Sequence, residues 1–139
     1  MPEVSEAAKL YTPAERVWET IGDFKAIDQW HPAVLRCKSG LQGTQTTREL
    51  DVAADEPIVE RLEEFDEKAM MQTYSILSGP LPVRDYRATL QVRRDDANSS
   101  TVEWHGSFEA DGVPDEEAVE IVQTIYRKGL DHLRFLLGG

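Results

Sequence analysis

Apolar positions along the chain switch from a period of two to a period near 3.6 and back, and the switches mark out its elements. Residues 4–11 alternate, with Val4, Ala8 and Leu10 on one side, and predict a first strand. Thr12-Pro13-Ala14-Glu15 then reads as a helix start. Thr12 suits the N-cap, Pro13 the first helical position, and Glu15 the reciprocal position of a capping box. Ala14, Val17, Trp18 and Ile21 follow at helical spacing as one apolar stripe, and Gly22 ends it. Residues 24–29 predict a second short turn of helix, which Pro32 prevents from continuing.

The period then returns to two. Strands are predicted over 34–39, 45–52, 58–66, 70–77, 85–94 and 101–110. The alternation is cleanest in the last two: Tyr86, Ala88, Leu90 and Val92 share one face, and Val102, Trp104, Gly106 and Phe108 another. Residues 51–57 form a polar connection, and Ser78-Gly79-Pro80-Leu81-Pro82 a stiff loop with two prolines. Pro114, followed by Asp115, Glu116 and Glu117, opens a long helix whose acidic first turn complements the helix dipole. Ala118, Val122, Ile125, Gly129, Leu133 and Leu136 recur in steps of three and four, with Val119, Tyr126, Leu130 and Leu137 widening the stripe as far as about Leu137. The order predicts one α+β domain over 1–139. Its antiparallel sheet of about seven strands curves around a long C-terminal helix, and two short helices follow the first strand.

Charge narrows the partners. With 15 Lys and Arg against 26 Asp and Glu, the net charge is −11. That balance argues against sequence-independent nucleic-acid binding and against an anionic membrane surface. Cys37 is alone, so neither an internal disulfide nor a cysteine-based zinc site is expected. No apolar run approaches the roughly 20 residues of a membrane span, and the first residues do not pattern as a signal peptide, so a cytoplasmic protein is expected.

Several residues interrupt the pattern. Gly129 sits inside the apolar stripe of the last helix, where glycine costs about 1 kcal/mol relative to alanine. Either the helix packs closely there or the missing volume makes room for a ligand. Gly106 raises the same question on its strand, where a bend in the sheet is the simplest account. Alternation places Glu60 with Ile58 and Leu62, Arg48 with Leu50, and Arg36 with Val34. If those faces look inward, three charges enter the interior, and each needs a partner or a ligand. The plainer accounts are solvated faces, or a structural pair between Glu60 and an arginine.

His31, within Trp30-His31-Pro32, is a candidate general base. The plainer account makes the tripeptide an anchor where the helices turn into the sheet. His105 should face opposite Trp104, toward solvent, and His132 should be exposed on the last helix. Their spacing is not that of metal ligands. Cys37 reads as a small strand residue rather than a nucleophile. Neither a nucleophile elbow nor a phosphate-cradling glycine loop is present, so no cofactor or metal is expected. Trp18, Trp30 and Trp104 suit either a core or a pocket wall.

Trp18, then Ile21-Gly22-Asp23-Phe24, then Trp30-His31-Pro32, resembles the opening of the helix-grip superfamily. That superfamily contains the START lipid-binding domains, the birch-pollen allergens and the polyketide cyclase/dehydrase-like proteins called SRPBCC. Glu60-Arg61-Leu62-Glu63, Asp66, Gly79-Pro80-Leu81-Pro82-Val83, Asp85-Tyr86-Arg87 and Tyr126-Arg127-Lys128-Gly129-Leu130 resemble its small bacterial members in order and spacing. A more distant similarity is to the plant abscisic-acid receptors, through Glu60-Arg61-Leu62 and a basic pocket residue matched by Arg36. The receptors' gate and latch are not reproduced by residues 51–57 and 77–82, so hormone sensing is not supported.

The resemblance implies a cavity between sheet and helix for an apolar small molecule or lipid. The residues expected around it are Trp30, Arg36, Arg48, Glu60, Tyr74, Tyr86, Leu90, Trp104, Phe108, Ile125 and Gly129. Glu60 and Arg36 would serve as polar anchors, and the loop 78–82 would gate the mouth. Two other readings stay open. One is a cyclase- or dehydratase-type enzyme in which Glu60 or His31 moves a proton. The other is a module that binds an unspecified protein partner, which a small, fully packed interior would favour.

Overall fold

The computed structural model describes residues 1–138. Its elements run β1 (Glu3–Leu10), α1 (Ala14–Ile21), a 3-10 helix (Phe24–Gln29), β2 (Arg36–Gln42), β3 (Gln45–Asp51), β4 (Ile58–Asp66), β5 (Met71–Ser78), β6 (Val83–Asp96), β7 (Ser99–Ala110) and α2 (Asp115–Leu137). The seven strands form one antiparallel sheet in the order β1-β7-β6-β5-β4-β3-β2. Strands joined by short turns pair with their chain neighbours, and β1 closes against β7 at the far edge. The curved sheet and the C-terminal helix are the helix-grip arrangement that the resemblance implied.

The apolar faces meet where alternation placed them. Val4, Ala8 and Leu10 of β1, Ala88, Leu90 and Val92 of β6, and Val102, Trp104 and Phe108 of β7 are all buried. α2 lays Ala118, Val122, Tyr126, Gly129, Leu130 and Leu133 on this floor, where it packs against β1 and β7. Fully burying a side chain of leucine or valine size contributes about 1.5–3 kcal/mol, so this stripe is what holds the helix. Near the end of the stripe Leu136 is exposed, while Leu137 is partly buried against the core.

Three local expectations change. The capping box does not form: Pro13 is the N-cap of α1, and no side chain caps it. The Thr12 hydroxyl instead donates to the Leu137 carbonyl, fastening the start of α1 to the end of α2, while Glu15 pairs with Arg94. A long-range acceptor for the Thr12 proton has displaced the local N–H donor that the capping box would have supplied. β2 begins at Arg36 rather than at 34, and β6 and β7 run through the predicted turn at 95–100 to meet across Ala97-Asn98. β6 also carries an irregularity between Arg84 and Arg87, with Asp85 at φ 53°. Aspartate tolerates that left-handed conformation, and the extra residue re-aims the next side chain, so Tyr86 points into the interior.

Candidate functional site

Between α2 and the β4–β5–β6 part of the sheet lies a cavity of about 570 Å³. Its apolar wall includes Ile27, Val34, Leu50, Ile58, Ile76, Trp104, Val122 and Ile125. Leu35, Val52, Ala53, Ala54, Pro80 and Leu81 extend it, with the last two contributed by the proline-rich loop. The polar groups on it are His31, Glu60, Tyr74, Tyr86 and Lys128. No carboxylate lies within ion-pair distance of Lys128 among the described residues.

Glu60 and Arg48 stand directly opposite each other on β4 and β3, on the inward face. Both are buried, and Arg48 Nε donates to Glu60 Oε1 at 2.8 Å. Arg48 Nη1 also donates to the Phe24 carbonyl at 2.7 Å, and the guanidinium lies 3.9 Å from the Phe24 ring centroid. Burial pushes the Glu60 carboxyl up from its ordinary range, and the Arg48 charge opposes that shift. The structural ion pair is therefore present, and it leaves Glu60 on the cavity wall with Arg48 behind it.

His31 is 2% exposed and wedges between α2 and the sheet. Its Nε2 lies 2.8 Å from the Ile125 carbonyl, and its Nδ1 lies 3.1 Å from the Ala33 amide nitrogen. An amide N–H can only donate and a carbonyl can only accept. The ring is therefore the neutral tautomer with the proton on Nε2, and both nitrogens are occupied. Burial holds its pKa below the usual value. The tripeptide is the anchor at the helix-to-sheet corner, and its histidine has no lone pair free for substrate. Gly129 makes the anchor possible: a Cβ there would stand 2.6 Å from His31 Cδ2 and 3.0 Å from Trp104 Cζ3.

A chain of hydroxyls crosses the inner end. Trp104 Nε1 donates to Tyr74 Oη at 3.1 Å, Tyr74 Oη is 3.3 Å from Tyr86 Oη, and Tyr86 Oη is hydrogen-bonded to Tyr126 Oη. Burial raises all three phenols above their ordinary pKa, so they are protonated at neutral pH. Tyr126 needs Gly106 beneath it, because a Cβ there would lie 2.2 Å from Tyr126 Oη. Close approach, rather than a bend alone, explains this glycine.

Of the residues expected around a ligand, the cavity is lined by Glu60, Tyr74, Tyr86, Trp104 and Ile125, together with His31. Trp30, Leu90, Phe108 and Gly129 are packed core behind the wall, and Arg48 stands behind Glu60. Arg36 is a correction. Its side chain is 84% exposed and pairs with Asp51 at 2.8 Å, in a polar surface groove with Asp28, Lys38 and Glu49. Val34 faces inward, but the chain enters β2 between the two residues, and the alternation does not carry across. His132, expected to be exposed, is half-buried against the Phe135 ring. His105 is exposed as expected, and Cys37 is half-buried with its thiol pushed up by burial.

The residues missed had a readable signal. Ile58 and Ile76 share strand faces with Glu60 and Tyr74, and Val122 and Lys128 lie one helical step either side of Ile125. The wall from Val52 to Ala54 had none, because it comes from a connection. Among the described residues no cluster of three or more His, Cys, Asp or Glu side chains is arranged to hold a metal, and no helix is long and apolar enough to cross a membrane.

Residues 1–138 match the family described as polyketide cyclase / dehydrase and lipid transport, and the chain belongs to that family. It is similar to the solved protein XoxI from Bacillus cereus, at 35% identity and a TM-score of 0.93, over 99% of this chain and 96% of that one. A solution structure from Thermobifida fusca is 29% identical with a TM-score of 0.88, over 99% and 94% of the two chains. The Zhui aromatase/cyclase from Streptomyces sp. R1128, at 17% identity and a TM-score of 0.76 over 95% and 90%, shares the fold. No curated protein matches the chain.

Proposed function

We propose that this protein binds an apolar or amphipathic small molecule, or a lipid, in the cavity between α2 and the sheet. The observation that carries the reading is the cavity of about 570 Å³ with its largely apolar wall, in a domain otherwise closely packed. Such volumes and linings are typical of small-molecule sites. Removing apolar ligand surface from water supplies about 25 cal/mol per Å² before the costs of association, and the few polar groups set orientation. The same cavity weighs against a module that works only through its outer surface. The loop that holds Pro80 and Leu81 forms one lip and is the proposed gate.

A second reading is a cyclase- or dehydratase-type reaction in the same cavity. One observation favours it beyond family membership: Glu60 keeps a carboxylate oxygen that Arg48 does not use. His31 is not part of that reading, since both of its nitrogens are engaged.

Native mass spectrometry of the purified protein, followed by organic extraction, tests the binding reading. A discrete apolar adduct is expected. A bare mass, together with no thermal stabilisation by any of a panel of lipids and aromatic compounds, would reject it.

A further inference from the structure

Two hydrogen-bonding capacities at the inner end of the cavity have no protein partner. The first is a proton. Tyr74, Tyr86 and Tyr126 carry three hydroxyl protons, and two oxygen–oxygen contacts join them, each of which uses one. Trp104 adds a donor at Tyr74, not an acceptor. One O–H is therefore left over. Tyr126 does not reach the cavity and its hydrogen bond goes to Tyr86, whereas Tyr74 and Tyr86 line the cavity, so pointing from one of those two into it gives the spare proton an acceptor there. Leaving it unmade would incur the penalty of a buried unsatisfied donor.

The second is a lone pair. Glu60 is 5% exposed and gives Oε1 to Arg48, while Oε2 has no partner among the described residues. What surface the residue keeps belongs to the cavity wall. The two capacities are neighbours. Glu60 stands opposite Ile76, and Tyr74 lies two residues further along β5 on the same face.

A donor and an acceptor side by side in an apolar pocket match a group that accepts and donates at once. We propose that the ligand enters with a neutral hydroxyl at its buried end, of alcohol, phenol or enol type, which accepts from the tyrosine O–H and donates to Glu60. This rests on the binding reading and adds the chemistry of the buried end. An ether or ester oxygen would satisfy the tyrosine and leave Glu60 unmet. A carboxylate would bring a second anion beside Glu60 in a water-poor site.

Three probes of one ring system separate these cases: 2-naphthol, 2-methoxynaphthalene and 2-naphthoate, measured by equilibrium dialysis at neutral pH. The naphthol is expected to bind about tenfold more tightly than the ether, the range of one buried polar group satisfied rather than stranded, and more tightly than the acid. Glu60→Gln supplies a second arm. Its amide oxygen can keep the Arg48 bond and turn an N–H to the cavity, so the advantage of naphthol over the ether should disappear. If the variant does not fold, the wild-type series decides alone. Equal binding of naphthol and ether, or tightest binding of naphthoate, overturns the inference and leaves the binding reading standing. No binding by any of the three overturns the inference as well, while the binding reading is decided by the mass spectrometry and the wider panel.

Discussion

The two ends of one sheet behave differently under the same helix. At the β1–β7–β6 end the interior is filled: Leu10, Val102, Phe108 and Leu133 have no measurable exposure. Both glycines there are occupied by other elements, Gly106 by the Tyr126 hydroxyl and Gly129 by the His31 ring. At the β2–β3–β4 end α2 makes no substantial contact, β2 is almost wholly exposed, and the inward face carries a buried ion pair. The cavity opens between these regimes. A missing side chain therefore does not mark empty space here. Space arises where the sheet curves away from the helix, and it is bounded by polar side chains with fixed partners.

The comparison breaks most sharply at Arg48. Arg48→Ala strands a buried carboxylate and should cost about 3–5 kcal/mol in urea unfolding. Replacing both partners with Arg48→Met and Glu60→Leu should recover most of that stability, because the penalty is the unpaired charge rather than the lost pair. A single variant that unfolds like wild type would show that the β3–β4 end is wet.

The glycines give the next largest effect, at the filled end. Gly106→Ala should destabilise by about 2–3 kcal/mol, the upper part of the range for overpacking, because the new Cβ meets a hydroxyl already bonded to Tyr86. Gly129→Ala should cost less, about 1–2 kcal/mol, since the helix propensity of alanine offsets part of the clash. Stabilisation by Gly129→Ala, read from the melting temperature, would mean that the His31 ring yields freely and that this end is not close-packed.

The smallest effect sits at the junction. His31 titrates below its unfolded value near 6.5 because it is buried, with Arg48 and Lys128 as cations around it. The unfolded chain then binds a proton that the folded chain refuses. The resulting stability is complete above about pH 6.5 and is lost as pH falls through the folded value. The stability difference between wild type and His31→Gln should shrink between pH 7 and 5, by at most about 1.4 kcal/mol per pH unit. A difference independent of pH would contradict a neutral His31.

Much of the architecture was legible in the order of residues, because it depends on period. Alternation at Tyr86–Val92 and Val102–Phe108 and the three-four spacing from Ala118 to Leu133 specify faces, and a face that must leave water has few places to go. The same logic grouped Glu60 with Ile58 and Arg48 with Leu50, faces that the folded sheet turns inward. It failed where the chain leaves regular structure. Arg36 lies just past the entry to β2, and the wall from Val52 to Ala54 belongs to a connection with no period at all.

What only the tertiary structure decided is pairing. Local sequence offered Thr12 a capping box, and the folded chain gave its hydroxyl to Leu137 instead. Sequence left His31 as an anchor, the plainer account, or a base. Its two hydrogen bonds, one of them to a carbonyl 94 residues away, resolve the choice. The residues alone set which side chains leave water, since hydrophobic burial is non-directional and follows composition and spacing. Hydrogen bonds are directional and short, so which donor meets which acceptor, and which group is left facing the cavity, is determined only once distant segments are brought within about 3 Å of each other.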